Sequence, residues 1–322
     1  MQSTFMEVTK GVPQGSILGP LLFTLYINNI VSFNNGCKAH FYADDTVIYS
    51  SAPTLGEATA ILQTAFNEIQ RSLLELKLVL NGAKTKYMQF SRSRTLTDTV
   101  FNICTLDGSV IERVPFYKYL GIFIDEKLSF KMHITELSKK LRVKLVFFYR
   151  NKSCFSWDDR KLLVQSTFMS VIDYGDIIYM HAGSATLRQL DTVYHSALRF
   201  ITGDHFRTHH CTLYQAVGWP SLTIRRTQHL LMYVYKAILG KLPSYLTSLI
   251  TWRSSHHHTR SQDWLVLAVP QVRTDLGKSA FSYSAPRLWN EIQETIRLDT
   301  LVPLGSFKNL IKDTMVVICT CF

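Results

Sequence analysis

Between Lys38 and Tyr49, apolar and polar residues alternate on both sides of two adjacent carboxylates, Asp44 and Asp45. Alternation with period two marks half-buried strands, and a polar break in its middle predicts two short antiparallel strands joined by a tight turn. Such a hairpin projects two like charges from a rigid support. Their repulsion is relieved by cations, so Asp44 and Asp45 are candidate metal ligands. Two aspartates are equally ordinary turn residues. By composition alone an aromatic-x-Asp-Asp string arises in roughly one chain of this size in fifteen, so the neighbouring segments have to decide.

Upstream, Pro13-Gln14-Gly15-Ser16 turns a strand-like segment, residues 4–10, into an apolar run over residues 17–30. Gly19-Pro20 stands in its first turn, where proline is tolerated, and the run predicts a buried helix. Downstream, Leu55, Ala58, Leu62, Ala65, Phe66, Ile69, Leu73 and Leu76 fall at the spacing of an amphipathic helix. Residues 84–90 predict another strand, Asp107-Gly108 a two-residue hairpin turn, and residues 117–124 complete a small-sheet region. Past Asp125 the texture changes to long helices over residues 134–150, 158–180, 186–201 and 223–239. The chain therefore reads as α+β, with a mainly helical part beginning near residue 130. Residues 254–260, with His256-His257-His258, read as an exposed connector. A strand over 264–269, helices over 286–296 and 304–315, and a short apolar end over 316–322 follow it.

Charge points to a polyanionic partner. Lysine and arginine outnumber aspartate and glutamate 35 to 24, a formal +11 in 322 residues. That excess suits RNA or DNA, although a basic surface needs no partner. Cys37, Cys104, Cys154, Cys211, Cys319 and Cys321 are scattered without the density of a disulfide framework, which fits reduced thiols in the nucleus or cytoplasm. The first ten residues lack the order of a signal peptide, and no apolar run is long enough for a bilayer, so no membrane partner is expected. Outside the aspartate pair the cluster with metal-like chemistry is His205, His209, His210 and Cys211. No Cys-x-x-Cys accompanies it, and Cys319-x-Cys321 is too isolated for a zinc knuckle.

The order of Pro-Gln-Gly-Ser, an apolar helix and an aromatic-Ala-Asp-Asp hairpin is far rarer than the tetrad alone. Gly-Val-Pro-Gln-Gly-Ser-Ile-Leu-Gly-Pro-Leu-Leu-Phe, residues 11–23, closely resembles the reverse transcriptase of LINE-type, non-LTR retrotransposons. Residues 81–90, containing Lys84-Thr85, and residues 117–125, containing Tyr119-Leu120-Gly121, look like the next two blocks of that family, in order. Asp173-Tyr174-Gly175, Tyr235-Lys236-Ala237 and Phe281 through Trp289-Asn290 extend the likeness over essentially the whole chain.

The resemblance implies a right-hand polymerase. Residues 1–129 would be an incomplete palm lacking the fingers and first catalytic strand, 130–253 a helical thumb-like region, and 254–322 a C-terminal extension. RNA template and DNA primer would be its partners, and Mg2+ or Mn2+, weakly bound, its cofactor. Pro13, Gln14, Gly15 and Ser16 would lie against the templating base pair, glycine allowing close backbone approach. Asp44 would be the principal metal ligand, with Asp45 beside it, while Tyr42 and Ala43 would set the hairpin near the primer end. Lys84 would offset charge on the departing pyrophosphate, or is a solvated strand-end lysine. Tyr119, Leu120 and Gly121 would form a primer grip, or are simple core. Lys139, Lys140, Arg142, Lys144 and Arg150 would track phosphates, or form a solvated helical face; Phe147, Phe148 and Tyr149 beside them read as core.

In this family a first catalytic aspartate stands on a strand upstream of the Pro-Gln-Gly block. From Met1 to Lys10 the acidic residue is Glu7, and nothing around it resembles that strand. The expectation is a truncated RNA-directed DNA polymerase unable to extend a primer alone. The alternatives are a non-catalytic RNA- or DNA-binding module, or a partner or inhibitor of a full-length reverse transcriptase. The hydrogen-bonding edge at residues 46–49 should then be unpaired, unless residues 4–10 move into the gap.

Overall fold

The Ser16 hydroxyl accepts the Gly19 N–H at 3.1 Å just ahead of helix α1 (Gly19–Ile27), which has Pro20 in its first turn, as the sequence predicts. Burial of this helix is not found. In the computed structural model, which describes residues 11, 15–28, 30, 36–90, 101–253 and 264–315, Leu21, Leu22, Leu25 and Tyr26 are all exposed, Leu25 to 64%. An apolar helix is covered only where apolar partners surround it, and the core of its unit lies elsewhere.

Two compact units divide the chain, Met1–Tyr117 and Lys118–Phe322. In the first, β1 (Lys38–Tyr42) and β2 (Asp45–Tyr49) pair antiparallel from Tyr42↔Asp45 to Lys38↔Tyr49. Helix α2 (Leu55–Glu75) begins where the Thr54 side chain accepts the Glu57 N–H, with Glu57 favourably placed in the first turn. It buries Ala65, Phe66 and Ile69, and Phe66 packs with Ile103 and Ile111. Gln63 clamps the backbone of Cys104 by two bonds of 2.7 Å, and Gln70 accepts the Leu106 N–H.

The strand predicted over 84–90 shrinks to β3 (Lys86–Tyr87), which pairs parallel with β4 (Glu112–Arg113). Asn81 is the cause: its carbonyl accepts the N–H groups of Lys84 and Thr85, so a turn takes residues that a ladder would need. The Asp107-Gly108 turn is present, with Gly108 at φ +84° beneath a Cys104↔Val110 bridge. Beside residues 46–49 there is no third strand among the described residues, and residues 4–10 lie outside them.

The second unit opens within a hairpin, β5 (Phe116–Tyr119) and β6 (Ile122–Asp125). Ile122 and Ile124 belong to the core of that unit, which is why the division precedes the change of texture near residue 130. The Asp125 carboxylate then accepts the N–H groups of Lys127, Ser129 and Phe130 and leads into α3 (Lys131–Arg150).

The single helix predicted over 158–180 is broken. α4 (Trp157–Leu163) runs through a π turn, Val164–Met169, into α5 (Ser170–Ile172), and α6 (Asp176–Tyr179) follows a bend at Gly175, whose φ of +66° no α-helix continues. α7 (Ser184–Thr202) packs its Val193, Ala197, Phe200 and Ile201 against Ile134, Leu141, Leu145 and Phe148 of α3. α8 (His210–Val217) closes this core.

A second core joins α9 (Leu222–Ile238) to the C-terminal residues, past α10 (Ser244–Thr247) and α11 (Asp275–Ser279). Tyr235 stacks on Phe307 of α13 (Leu304–Thr314) at 4.0 Å and on Trp289 of α12 (Phe281–Ile296) at 6.0 Å. The strand read over 264–269 is a single bridge, Trp252↔Leu267, because the Asn290 side chain takes both backbone groups of Leu267. The histidine run and the Val316 end lie outside the described residues. Among the described residues no helix is long and apolar enough to cross a membrane.

Two outcomes follow from this packing. Leu21→Glu with Leu25→Lys should leave the unfolding free energy from urea titration within about 0.5 kcal/mol of the parent and reduce aggregation, since both side chains are exposed. A loss of more than about 2 kcal/mol would show a buried helix.

His195 supplies the second. Its Nε2 lies 2.7 Å from the Tyr214 hydroxyl, and burial, helped by His210, Arg199 and His209, pushes its pKa down to about 4. The unfolded imidazole takes up its proton near pH 6.5, the folded one only near 4, so the unfolded state binds more protons between them. Stability from this residue is therefore complete above pH 6.5 and drains as pH falls toward 4. Unfolding free energies from urea titration at pH 7 and pH 4.5 should differ by on the order of 2 kcal/mol more in the parent than in His195→Gln; equal differences would refute the assignment.

Candidate functional site

Ala43 and Asp44 form the two-residue turn between β1 and β2, and Asp45 opens β2 opposite Tyr42. Ala43 carries the positive φ, +52°, which a turn matching the strand twist demands at its first position. Both carboxylates are exposed at this apex, beside Tyr42 at 63% exposure. His40 stacks on Tyr49 at 5.5 Å at the other end of the ladder, which stiffens the support.

The donor set suits a hard divalent cation: carboxylate oxygens, open to water, engaged in no ion pair with a described residue. It is also a small set. Among the described residues, three potential ligands come together at His209, His210 and Cys211 and at Asp173, Asp176 and His229, and Asp44 and Asp45 belong to neither group.

Lys84 is exposed on the Asn81 turn rather than on a strand, its N–H held by the Asn81 carbonyl and side chain at 3.2 and 3.1 Å. Its neighbour Lys86 is committed to Glu112 at 2.6 Å. Pro13 and Gln14 lie outside the described residues. Gly15 has φ +83° and open space at its Cβ position, and Ser16 accepts the Gly19 N–H as described.

In the second unit Leu120 and Gly121 form the turn of the β5–β6 hairpin, with φ of +44° and +86°. Two consecutive positive values are the signature of the type I′ turn, so the Tyr119-Leu120-Gly121 block is a rigid hairpin tip with Tyr119 and Leu120 half-buried.

On α3, Lys139, Lys140, Arg142 and Arg150 are exposed and Lys144 is half-buried. Lys139 is partly neutralised by Glu136 at 2.7 Å. Interleaved with these cations stand Val143, 72% exposed, and the exposed Val146 and Phe147. Of the aromatic trio read as core, Phe148 is buried and Phe147 is not, because helical spacing sets Phe147 off the buried stripe of Ile134, Leu141, Leu145 and Phe148. Tyr149 is exposed along its ring but ties its hydroxyl to the Ser196 carbonyl at 2.9 Å. Arg142, Val146, Tyr149 and Arg150 thus line an open groove between α3 and α7, where apolar surface and positive charge alternate. Helical period foretells that face. The exposure of valine and phenylalanine on it was not legible.

The two three-ligand groups have other partners. His209 caps α8 through its Nδ1, which accepts the Cys211 N–H, and its ring lies 4.2 Å from that of His210; His205 stays outside the group. Asp173 receives both the Nε and a terminal nitrogen of Arg225 at 2.6 and 2.5 Å, so a guanidinium already stands where a cation would. Asp176, buried, lies 2.6 Å from His229 Nδ1.

Comparison with known proteins bears on this layout. A family described as reverse transcriptase (RNA-dependent DNA polymerase) matches residues 2–124. An RNA-directed DNA polymerase from mobile element jockey of Drosophila funebris is 26% identical over 214 residues, 63% of this chain and 23% of the relative. Its Drosophila melanogaster counterpart is 27% identical over the same shares. A probable RNA-directed DNA polymerase from transposon X-element of Drosophila melanogaster is 28% identical over 228 residues, 66% of this chain and 24% of the relative. The chain spans about a quarter of the length of these relatives. Residues 2–124 belong to the reverse transcriptase family, in a chain whose relatives are the polymerases of non-LTR retrotransposons.

Proposed function

We propose that the chain is the part of an RNA-directed DNA polymerase that presents a carboxylate hairpin, a primer-grip hairpin and a basic helix to an RNA template paired with a DNA primer. One observation carries the reading: Asp44 and Asp45 stand exposed at the apex of a two-residue turn inside the segment that matches the reverse transcriptase family. A divalent cation held there, Mg2+ or Mn2+, would stabilise the charge of phosphoryl transfer. Asp44 and Asp45 would position it, and Lys84, on its exposed turn, would offset charge on departing pyrophosphate. The turn at Tyr119-Leu120-Gly121 would hold the primer strand, and Arg142, Lys140 and Arg150 would neutralise phosphates while Val143, Val146 and Phe147 lie against sugars.

Two carboxylates at the hairpin fall short of the donor set that grips two cations, so the isolated chain should bind nucleic acid without copying it. This also favours a binding role over catalysis for the chain by itself. The test is primer extension on an RNA template with Mg2+ or Mn2+, run beside anisotropy with a labelled RNA–DNA hybrid. No extension is expected, with salt-dependent binding that the triple variant Lys140→Glu, Arg142→Glu, Arg150→Glu weakens by about tenfold or more. Extension abolished by Asp44→Asn would overturn the claim of incompetence and leave the site assignment standing. Binding that appears only with an intact reverse transcriptase would point to a partner or inhibitor instead.

A further inference from the structure

Asp173, Tyr174, Gly175 and Asp176 make four contacts in four consecutive positions, and these go in two directions. The outer pair faces α9: Asp173 takes the fork of Arg225 and Asp176 meets His229, as given above. The inner pair faces the tip of the β5–β6 hairpin. The Tyr174 hydroxyl donates to the Leu120 carbonyl at 2.7 Å, and its ring lies where a side chain on Gly121 would come, 3.3 Å from the Cβ position. Gly175 returns the contact. A Cβ there would collide with the Ile122 Cδ1, and its φ of +66° is itself a glycine conformation. Two glycines on facing segments, each making room for its neighbour and each at a positive φ, define a close fit in which a side chain would be strained.

Tyr174 is nevertheless 57% exposed. Its ring covers the turn from one side and shows the rest of its surface to solvent, next to Gly121, which is exposed too. A tyrosine that only filled core would be covered, and one that only decorated the surface would not be anchored by a hydrogen bond to a turn carbonyl. From behind, the bend cannot drift, because Arg225 holds Asp173 in a bidentate pair whose hydrogen bonds are directional.

We infer that Tyr174 is a positioning residue for the Tyr119-Leu120-Gly121 turn, and that its exposed ring extends the surface which that turn offers to a nucleic-acid strand. The inference rests on the primer-grip reading of the turn. An aromatic face beside a rigid backbone tip is a sequence-tolerant platform for a base or sugar.

Hydrogen exchange over residues 116–125 and anisotropy with a labelled RNA–DNA hybrid test it, on the full chain. Tyr174→Phe keeps the ring and removes the donor; it should speed exchange in the hairpin about fivefold, the effect of one lost hydrogen bond, with the urea midpoint nearly unchanged. Tyr174→Ala should speed it further and weaken hybrid binding by about three- to tenfold, the range of a lost stacking contact. Parent-like exchange in both variants would overturn the positioning role, and should Tyr174→Ala not fold, parent-like exchange in Tyr174→Phe alone overturns it. Faster exchange with unaltered hybrid affinity, while charge reversal on α3 still weakens binding, would confirm the latch and refute the primer-grip reading beneath it.

Discussion

The seam between α3 and α7 decides what the second unit can present. Ile134, Leu137, Leu141, Leu145 and Phe148 recur on one face of α3 and are buried, with Phe148 stacked on Phe200 at 5.3 Å. Once that face is committed, helical geometry sends Lys139 and Val143 to the opposite side and leaves Arg142, Val146 and Arg150 along the groove beside α7. The basic character of the exposed face therefore follows from core packing rather than from any contact among the cations. Tyr149 fixes the rotation further, because its hydroxyl reaches the Ser196 carbonyl while its ring meets Phe200 edge-on at 5.6 Å. A slip of one residue along the seam would bury charge, so the face is specified as strongly as the core is.

Among the described residues no comparable seam governs the first unit. Its buried cluster is Phe66, Ile103 and Ile111, with Ile48, Leu62, Leu80 and Tyr87 against it, and much of its cohesion comes from amide side chains. Gln63 and Gln70 bind the backbone at Cys104 and Leu106 as extra ladder rungs would. Hydrogen bonds of this kind add about 1 kcal/mol each, less than a well-filled core position contributes. The exposed leucines of α1 are the counterpart of that economy: apolar surface is present in the chain, and the described residues do not gather it into one core.

Sequence reading succeeded where a pattern had a local cause. The period-two stretch around Asp44-Asp45 and the Asp107-Gly108 pair each fold as their own turn chemistry dictates, and α2 begins at the residue, Thr54, whose hydroxyl can cap it. It failed where the cause was distant or the competing bond was small. Helical periodicity over residues 158–180 is genuine, yet the chain bends at Gly175, whose φ of +66° ends the helix and whose missing Cβ leaves room for Ile122 on another element. The strand at Lys84 loses to a single carbonyl, that of Asn81. Asp173-Tyr174-Gly175 was legible as a block resembling a family, without its reason; the reason is a hydrogen bond to Leu120, more than fifty residues upstream.

Both hairpin tips that carry candidate functional residues share a feature that intrinsic propensity does not favour. Ala43 and Leu120 each occupy the left-handed region, at +52° and +44°, where an L-residue with a Cβ is disfavoured by about 1–2 kcal/mol. Neither position holds the Asn, Asp or Gly that such turns prefer. Ladder pairing on both sides of Ala43, and the Tyr174 hydroxyl on the Leu120 carbonyl, are what keep those residues in place. A turn so determined by its surroundings cannot relax without breaking them, which makes it a stiff mount for whatever it displays. At the first tip the display is Asp44-Asp45, whose mutual repulsion a flexible loop would relieve by separating the charges. On the tight turn the two exposed carboxylates share one stiff mount, the arrangement that the proposed cation site calls for.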